Sequence, residues 1–316
     1  MKITDLIAGK GTAFSFEVLP PRKGEGIGEL EYVVETLLKY HPKYINITTH
    51  QSEPVYKKLG NGLVEVEMAR RRPGTVAVAA ALQYKYQIPV VPHILCSGFT
   101  KQETEYVLLD LQFLGIQNLL LLRGDKKRED AQFRQEPDGH QHTTELQLQV
   151  NDFNEGRFVD GSEITVPGEP FSYGVACYPE KHDEAPNLAT DIAHLKEKTD
   201  RGAEYAVTQM FFDNEKYFDF VKKVREAGVN VPIIPGIKPI ISQKQLTSIP
   251  TSFHCDIPEA FTREMLKATT KEDQFKVGTE WCVAQCRELI RRGAPSIHFY
   301  TSGRARSVDA VAKEIF

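Results

Sequence analysis

Several things are scarce in this chain, and each scarcity closes off a class of protein. Cysteine is rare: Cys96, Cys177, Cys255, Cys282 and Cys286 make an odd count with no C-x-x-C pair. That argues against a disulfide framework and against a structural zinc site, so free thiols in a reducing compartment and no resident metal are expected. Long apolar runs are missing too. The most apolar, "TVAVAAAL", is far too short to span a bilayer, and "MKITDLIAGKG" lacks the apolar core of a secretory signal. A cytoplasmic protein without a membrane partner is expected. No charge of one sign dominates: the net charge of −4 is spread along the chain, unlike the basic stripe of a nucleic-acid binder. The cluster "ARRRPG" at 69–74 reads as a solvated helix end. A G-x-G-x-x-G turn after the first strand is also absent, which weakens an open dinucleotide-binding sheet.

What the chain does contain is a rhythm. Short β-branched or aromatic runs, each followed by an amphipathic stretch, recur as "AFSFEVLP", "YINITT", "VVPHILC", "NLLLLRGD", "SYGVACYP", "YAVTQMFF", "PIIPGIKP" and "SIHFYTSG". Helical stretches between them include "IGELEYVVETLLKYH", "TKQETEYVLLDLQFLG", "NLATDIAHLKEKTDRG" and "NEKYFDFVKKVREAG". Gly115, Gly202, Gly228 and Gly293 mark helix ends, and Thr100 and Asn187 are N-cap candidates. Eight such units in 316 residues predict an α/β fold, a single (β/α)8 TIM barrel occupying residues 1–316, with a doubly wound sheet as runner-up. The polar stretch at about 126–170 breaks the rhythm. It holds at most one helix, "TTELQLQVNDFN", and otherwise reads as a surface insertion.

In such a barrel the chemistry sits at the C-terminal ends of the strands. The polar residues there are Glu17, Thr48, Thr49, His93, Arg123 to Asp125, Tyr178, His182, Gln209, Lys238, His298, Tyr300 and Arg304. Each has a bland reading taken alone: a Thr is a good strand former, a lone His is more often a satisfied core residue, and "RGD" can be an internal ion pair. Glu17 is harder to dismiss. An acid between Phe16 and Val18 costs several kcal/mol or shifts its pKa unless paired. Polar groups delivered to one rim by nearly every strand favour an active site. Asp191, His194 and Lys198, spaced i, i+3 and i+7, share one helix face. From spacing alone that is an exposed ion-pair face, though it equally suits a nucleotide's ribose and phosphates.

Taken in order, "FSFEVLPPR", "PHILC", "LLRGD", "ACYPEKH", "TQMFFD", "IPGIKP" and "HFYT" resemble the motifs of methylenetetrahydrofolate reductases, over nearly the whole chain. The resemblance implies a barrel flavoprotein that passes reducing equivalents from NADH or NADPH, through FAD, to methylenetetrahydrofolate in a ping-pong reaction that feeds methionine synthesis. Its short bacterial-type length favours NADH. By the same resemblance Glu17 is the acid that protonates the folate, and Asp125 is a catalytic carboxylate near flavin and pterin. FAD would be held by Thr48, Thr49, His93, Arg123, Gly124, Asp125, Tyr178, His182, Ala185, Asp191 and Lys198. The substrates would meet Thr48, Asp125, Gln209, Gln245 and Arg304, and His142 or Thr143 would fall against a flavin-contacting loop. Ser302 and Gly303 replace the family's usual larger pair. The regulatory domain of long eukaryotic members, and its control by S-adenosylmethionine, is expected to be absent. Small-molecule partners are expected, with a homo-oligomer left open. Two rivals remain at this point: a barrel lyase forming a Schiff base on Lys238, and a pterin-binding module without redox chemistry.

Overall fold

The structure, a computed structural model, describes residues 1–9, 11–126 and 132–316. Its strands are β1 (Ala13–Val18), β2 (Tyr44–Ile47), β3 (Glu53–Lys58), β4 (Val64–Ala69), β5 (Val90–Leu95), β6 (Asn118–Leu122), β7 (Ser172–Cys177), β8 (Tyr205–Thr208), β9 (Ile233–Ile234), β10 (Gly236–Ile237) and β11 (Ser296–Tyr300). Nine of them form one parallel sheet in the order β10-β11-β1-β2-β5-β6-β7-β8-β9. The two ends of that order, β9 and β10, are separated only by Pro235 and serve as one stave. The ring therefore closes into the expected (β/α)8 barrel. Proline has no N–H for the ladder, so the stave breaks there. The Pro235 carbonyl still accepts from His298 N at 3.0 Å, and Gly236 N donates to Thr208 Oγ1 at 2.9 Å.

Strand alternation sorts side chains into two layers. Phe14, Phe16, Val18, Ile45 and Ile47 belong to the large core beneath the outer helices, whereas Ala13, Tyr44, Val91, Leu120, Tyr205 and Ile234 form a separate inner cluster. Ile3 and Ile7 of the short helix Ile3–Ile7 join that inner cluster, and Ile3 N bonds Asn118 Oδ1 at 3.2 Å. The N-terminal end of the barrel is thus plugged with apolar side chains, and the opposite end carries the polar ones.

The helix signals act as their chemistry dictates. Thr100 caps helix Lys101–Phe113 by accepting from Glu103 N at 3.1 Å, with Glu103 returning a bond to Thr100 N in a capping box. Asn187 caps helix Leu188–Asp200 through Thr190 N at 2.9 Å. Gly115, Gly202, Gly228 and Gly293 all adopt positive φ just past helix ends. Within 126–170, helix Thr143–Asn154 buries Leu146, Val150 and Phe153, so the stretch supplies the crossover helix between β6 and β7.

Two segments differ from expectation. β3 and β4 pair as an antiparallel hairpin outside the barrel, in the register Tyr56↔Val66 and Pro54↔Met68. Residues 69–74 are not a helix end: they run from β4 to the start of helix Thr75–Tyr86. Their arginines are partly held, since Arg72 donates to the Pro20 carbonyl and the Arg71 carbonyl accepts from Lys23 N at 2.7 Å. Among the described residues no helix is long and apolar enough to cross a membrane, and the five cysteines are free and buried.

Candidate active site

The barrel interior becomes polar midway up. Ser15 Oγ lies 2.9 Å from His298 Nδ1, and Asn46 Nδ2 lies 3.2 Å from His93 Nε2. Burial pushes both histidines down to about 3, so they are neutral at physiological pH. His93 thus sits in the barrel wall beneath the mouth.

One level higher, parallel pairing sets Glu17 beside Tyr300 on β11 and beside Asn46 on β2. Glu17 is partly buried at the mouth. Desolvation raises its carboxyl pKa to about 7, against an opposing pull from Lys238. Among the described residues no ion pair or hydrogen bond consumes its carboxylate, whereas its backbone carbonyl accepts from Thr301 Oγ1 at 2.7 Å. A carboxyl group that exchanges its proton near neutrality is suited to general acid chemistry.

The other side of the mouth is arranged for a different task. Arg123, at the end of β6, pairs with Glu184 and lies 4.9 Å from the centre of the Phe133 ring. Gly124 follows at φ +83°, where a Cβ would stand 2.1 Å from Ser97 Oγ, so only glycine fits. Asp125 is exposed at the rim, close enough for its charge to act on His50 and Tyr178. The Tyr178 and His182 rings meet edge to face at 4.7 Å, and Ala185 is buried behind them. Asp191 Oδ2 accepts from His182 N at 2.9 Å, tying this loop to helix Leu188–Asp200. Lys198 turns inward and donates one long bond, 3.4 Å, to the Ala176 carbonyl. Burial lowers its pKa, with Asp191 opposing the shift. Asp191 and Lys198 therefore serve the barrel side, and His194 is exposed.

The remaining expected residues are dispersed. Thr48 Oγ1 and Thr49 Oγ1 donate to the Val18 and His93 carbonyls at 3.3 and 2.5 Å, which stitches β2 to its neighbours at the rim. Gln209 follows β8, its Oε1 accepting from Met210 N at 2.9 Å. Gln245 Oε1 accepts from Ile241 N at 2.8 Å and from Ser242 Oγ at 3.3 Å, so its oxygen caps a turn. Arg304 is exposed on the loop after β11. His142 is the N-cap residue of helix Thr143–Asn154, and Thr143 is buried at its start. A cavity of about 650 Å³ opens beside the mouth, lined among others by Glu180, Lys216, His254 and Asp256.

Sequence reasoning passed over His50, Glu184 and Phe133. His50 had a signal, a polar residue immediately after the strand-end pair Thr48–Thr49. Glu184 and Phe133 had none, because their meeting with Arg123 depends on how separate loops fold together.

A family model described as methylenetetrahydrofolate reductase matches residues 2–315. A probable methylenetetrahydrofolate reductase (NADPH) of Caenorhabditis elegans is 30% identical over 318 residues, covering 99% of this chain and 44% of that protein. Methylenetetrahydrofolate reductase (NADH) 1 of Arabidopsis thaliana is 30% identical, covering 95% of this chain and 48% of its own length. The chain thus spans about half the length of these eukaryotic relatives. The 5,10-methylenetetrahydrofolate reductase of Escherichia coli is 28% identical and is matched over 88% of its length, with 94% of this chain covered. Among solved structures, a Clostridium thermocellum protein that binds two copies of 5-methyl-5,6,7,8-tetrahydrofolic acid has the same fold. It superposes with a TM-score of 0.59 at 13% identity, over 98% of this chain and 97% of its own.

Proposed function

The chain belongs to the methylenetetrahydrofolate reductase family, and on that premise we propose that it reduces 5,10-methylenetetrahydrofolate to 5-methyltetrahydrofolate in the cytoplasm, with NADH or NADPH as reductant and FAD as the carrier between them. The observation that carries the reading is Glu17: a partly buried carboxyl group with a pKa raised to about 7, without a hydrogen bond to its carboxylate among the described residues, at the open end of the barrel. The substrate's five-membered ring must open to an iminium before it accepts hydride. Glu17 supplies the proton to the ring nitrogen that leaves, so the C–N electron pair departs onto a protonated amine.

The opposite side of the mouth fits FAD on its own chemistry. Lys198 is an inward-facing cation with a single long hydrogen bond, and Arg123 and the Gly124 turn stand beside it. A diphosphate would satisfy the unused donors of Lys198, and Gly124 lets the backbone approach a flat ring closely. The flavin, when bound there, supplies two-electron carrier chemistry. Asp125 at the rim places a negative charge near that ring and favours the oxidised form. Gln209 and Gln245 offer polar contacts to whichever substrate occupies the mouth, and Arg304 offers a cation to the folate's carboxylates. One mouth serving both substrates in turn makes the reaction ping-pong.

The test is direct. Purified protein should be yellow, lose its flavin absorbance on anaerobic addition of NADH, and regain it with methylenetetrahydrofolate. Protein that takes up no FAD, or reduced protein that the folate does not reoxidise, overturns the reading.

A further inference from the structure

Lys238 has no task in the function proposed above. It follows β10, whose register with β11 is Gly236↔His298 and Ile237↔Phe299. β11 in turn pairs with β1 through Ser15↔His298, Phe16↔Phe299 and Glu17↔Tyr300. Gly236, His298 and Ser15 therefore form one level of the wall. Continuing each strand by two residues brings Lys238, Tyr300 and Glu17 to the next level, all on the inner face. Tyr300 separates the two charged residues in this register, and its phenol is close enough to Glu17 to feel that charge. Its ring crosses over Gly236, where a Cβ would stand 2.5 Å from ring atoms, and its hydroxyl donates to the Thr208 carbonyl at 2.6 Å. The lysine is fixed from the other side: Lys238 Nζ donates to Ser302 Oγ at 2.5 Å. Ser302 holds that position in the left-handed region, φ +50°, a conformation that a non-glycine residue keeps only where its surroundings demand it.

We infer that Lys238 is a positioning residue for the proton on Glu17: anchored by Ser302, its ammonium faces the carboxylate across the mouth and controls whether that carboxyl group is charged. The other groups around Glu17 do not do this. Asn46 on β2 is neutral, and His93 behind it is held neutral by burial. Burial also keeps the Tyr300 hydroxyl protonated. Arg22 and Arg72, the cations on neighbouring loops, act on each other and on Glu25 and Glu53. Glu17 and Lys238 each feel the other's charge, which opposes the cost of burial on both. Without the ammonium, a desolvated carboxyl group would keep its proton well above neutrality and be a weaker acid towards an amine.

The inference rests on the proposed acid role of Glu17, but its test does not. The carboxyl C=O band of Glu17 is identified as the infrared band lost in Glu17→Gln, and its intensity in the purified holoenzyme is followed between about pH 5 and 10. Wild type should lose the band with a midpoint of about 7. Lys238→Met should move the midpoint up by about one to two pH units, and Lys238→Arg should leave it near the wild-type value. Ser302→Ala, which keeps the lysine but frees it, should shift it in the same direction by less. The descending alkaline limb of flavin reoxidation by methylenetetrahydrofolate should move with the band. An unchanged midpoint in folded Lys238→Met and in Ser302→Ala overturns the inference. Wild-type protein whose flavin is not reoxidised by the folate sinks the functional reading instead, and leaves the band comparison intact.

Discussion

Two arcs of the barrel mouth treat charge in opposite ways. Along β10, β11 and β1 the acid Glu17 stands in a wall of Phe and Tyr beside Asn46 of β2, and Lys238 follows β10 at the same level of the register. From β6 through β7 to helix Leu188–Asp200 there are several charges, and most are tied down. Arg123 is paired with Glu184, and Asp191 takes the His182 N–H. The first arc leaves the Glu17 carboxyl group without a hydrogen-bond partner among the described residues, with the Lys238 charge opposing its burial. The second gives Arg123, Asp191 and His182 partners and leaves donors over at Lys198. Burial raises the proton affinity of an unpartnered acid, whereas a tied network holds geometry. Under the proposed function, the difference assigns proton handling to the first arc and the grip on a ligand to the second.

The comparison is broken most severely at Glu17. Glu17→Gln keeps the size and cannot deliver a proton, so turnover with methylenetetrahydrofolate should fall about 10²–10⁴-fold. Because the acid must be protonated and its pKa is raised to about 7, wild-type folate reduction should decline as pH rises through that value. A rate that instead climbs across neutrality would remove the acid role. Next in size is Lys198→Ala, which deletes a charge-assisted contact worth about 1.5–3 kcal/mol and should weaken FAD affinity about ten- to a hundredfold. Equal flavin retention on dilution would make that helix a mere scaffold. Asp125→Asn is smaller, because the carboxylate is exposed and screened: the flavin midpoint potential should rise, and folate-driven reoxidation should slow by about fivefold or less. The smallest effect lies outside both arcs. Val66→Ser on the β3–β4 hairpin, where Val66 is 55% exposed, should change stability by no more than about 0.5 kcal/mol and leave both half-reactions untouched.

The barrel was legible because its signals are local. Each stave shows its own run of β-branched or aromatic residues, and Thr100, Asn187 and the helix-ending glycines act within a few residues of themselves. The hairpin was less legible although Asn61-Gly62 between alternating strands is a turn signal. Its apolar residues, Tyr56, Val66 and Met68, stay exposed, so alternation there does not mark a buried face. Glu17 stood out because an acid in an apolar strand is costly wherever the strand goes. Its relation to Lys238 could not be read, since it depends on the register of three strands distant in sequence and on the turn that places Ser302. The same holds for Arg123 and Glu184. The spacing of Asp191, His194 and Lys198 overstated a shared role, because a helix face is wider than the part that meets the barrel.

The separation of the two arcs is tested most directly by stopped-flow measurement of the two half-reactions in Glu17→Gln, loaded with FAD. The account predicts wild-type FAD affinity, flavin reduction by NADH at a rate close to wild type, and reoxidation by methylenetetrahydrofolate slowed about 10²–10⁴-fold. Equal slowing of both half-reactions, or loss of the flavin itself, would place Glu17 among the ligand-holding residues and contradict the account.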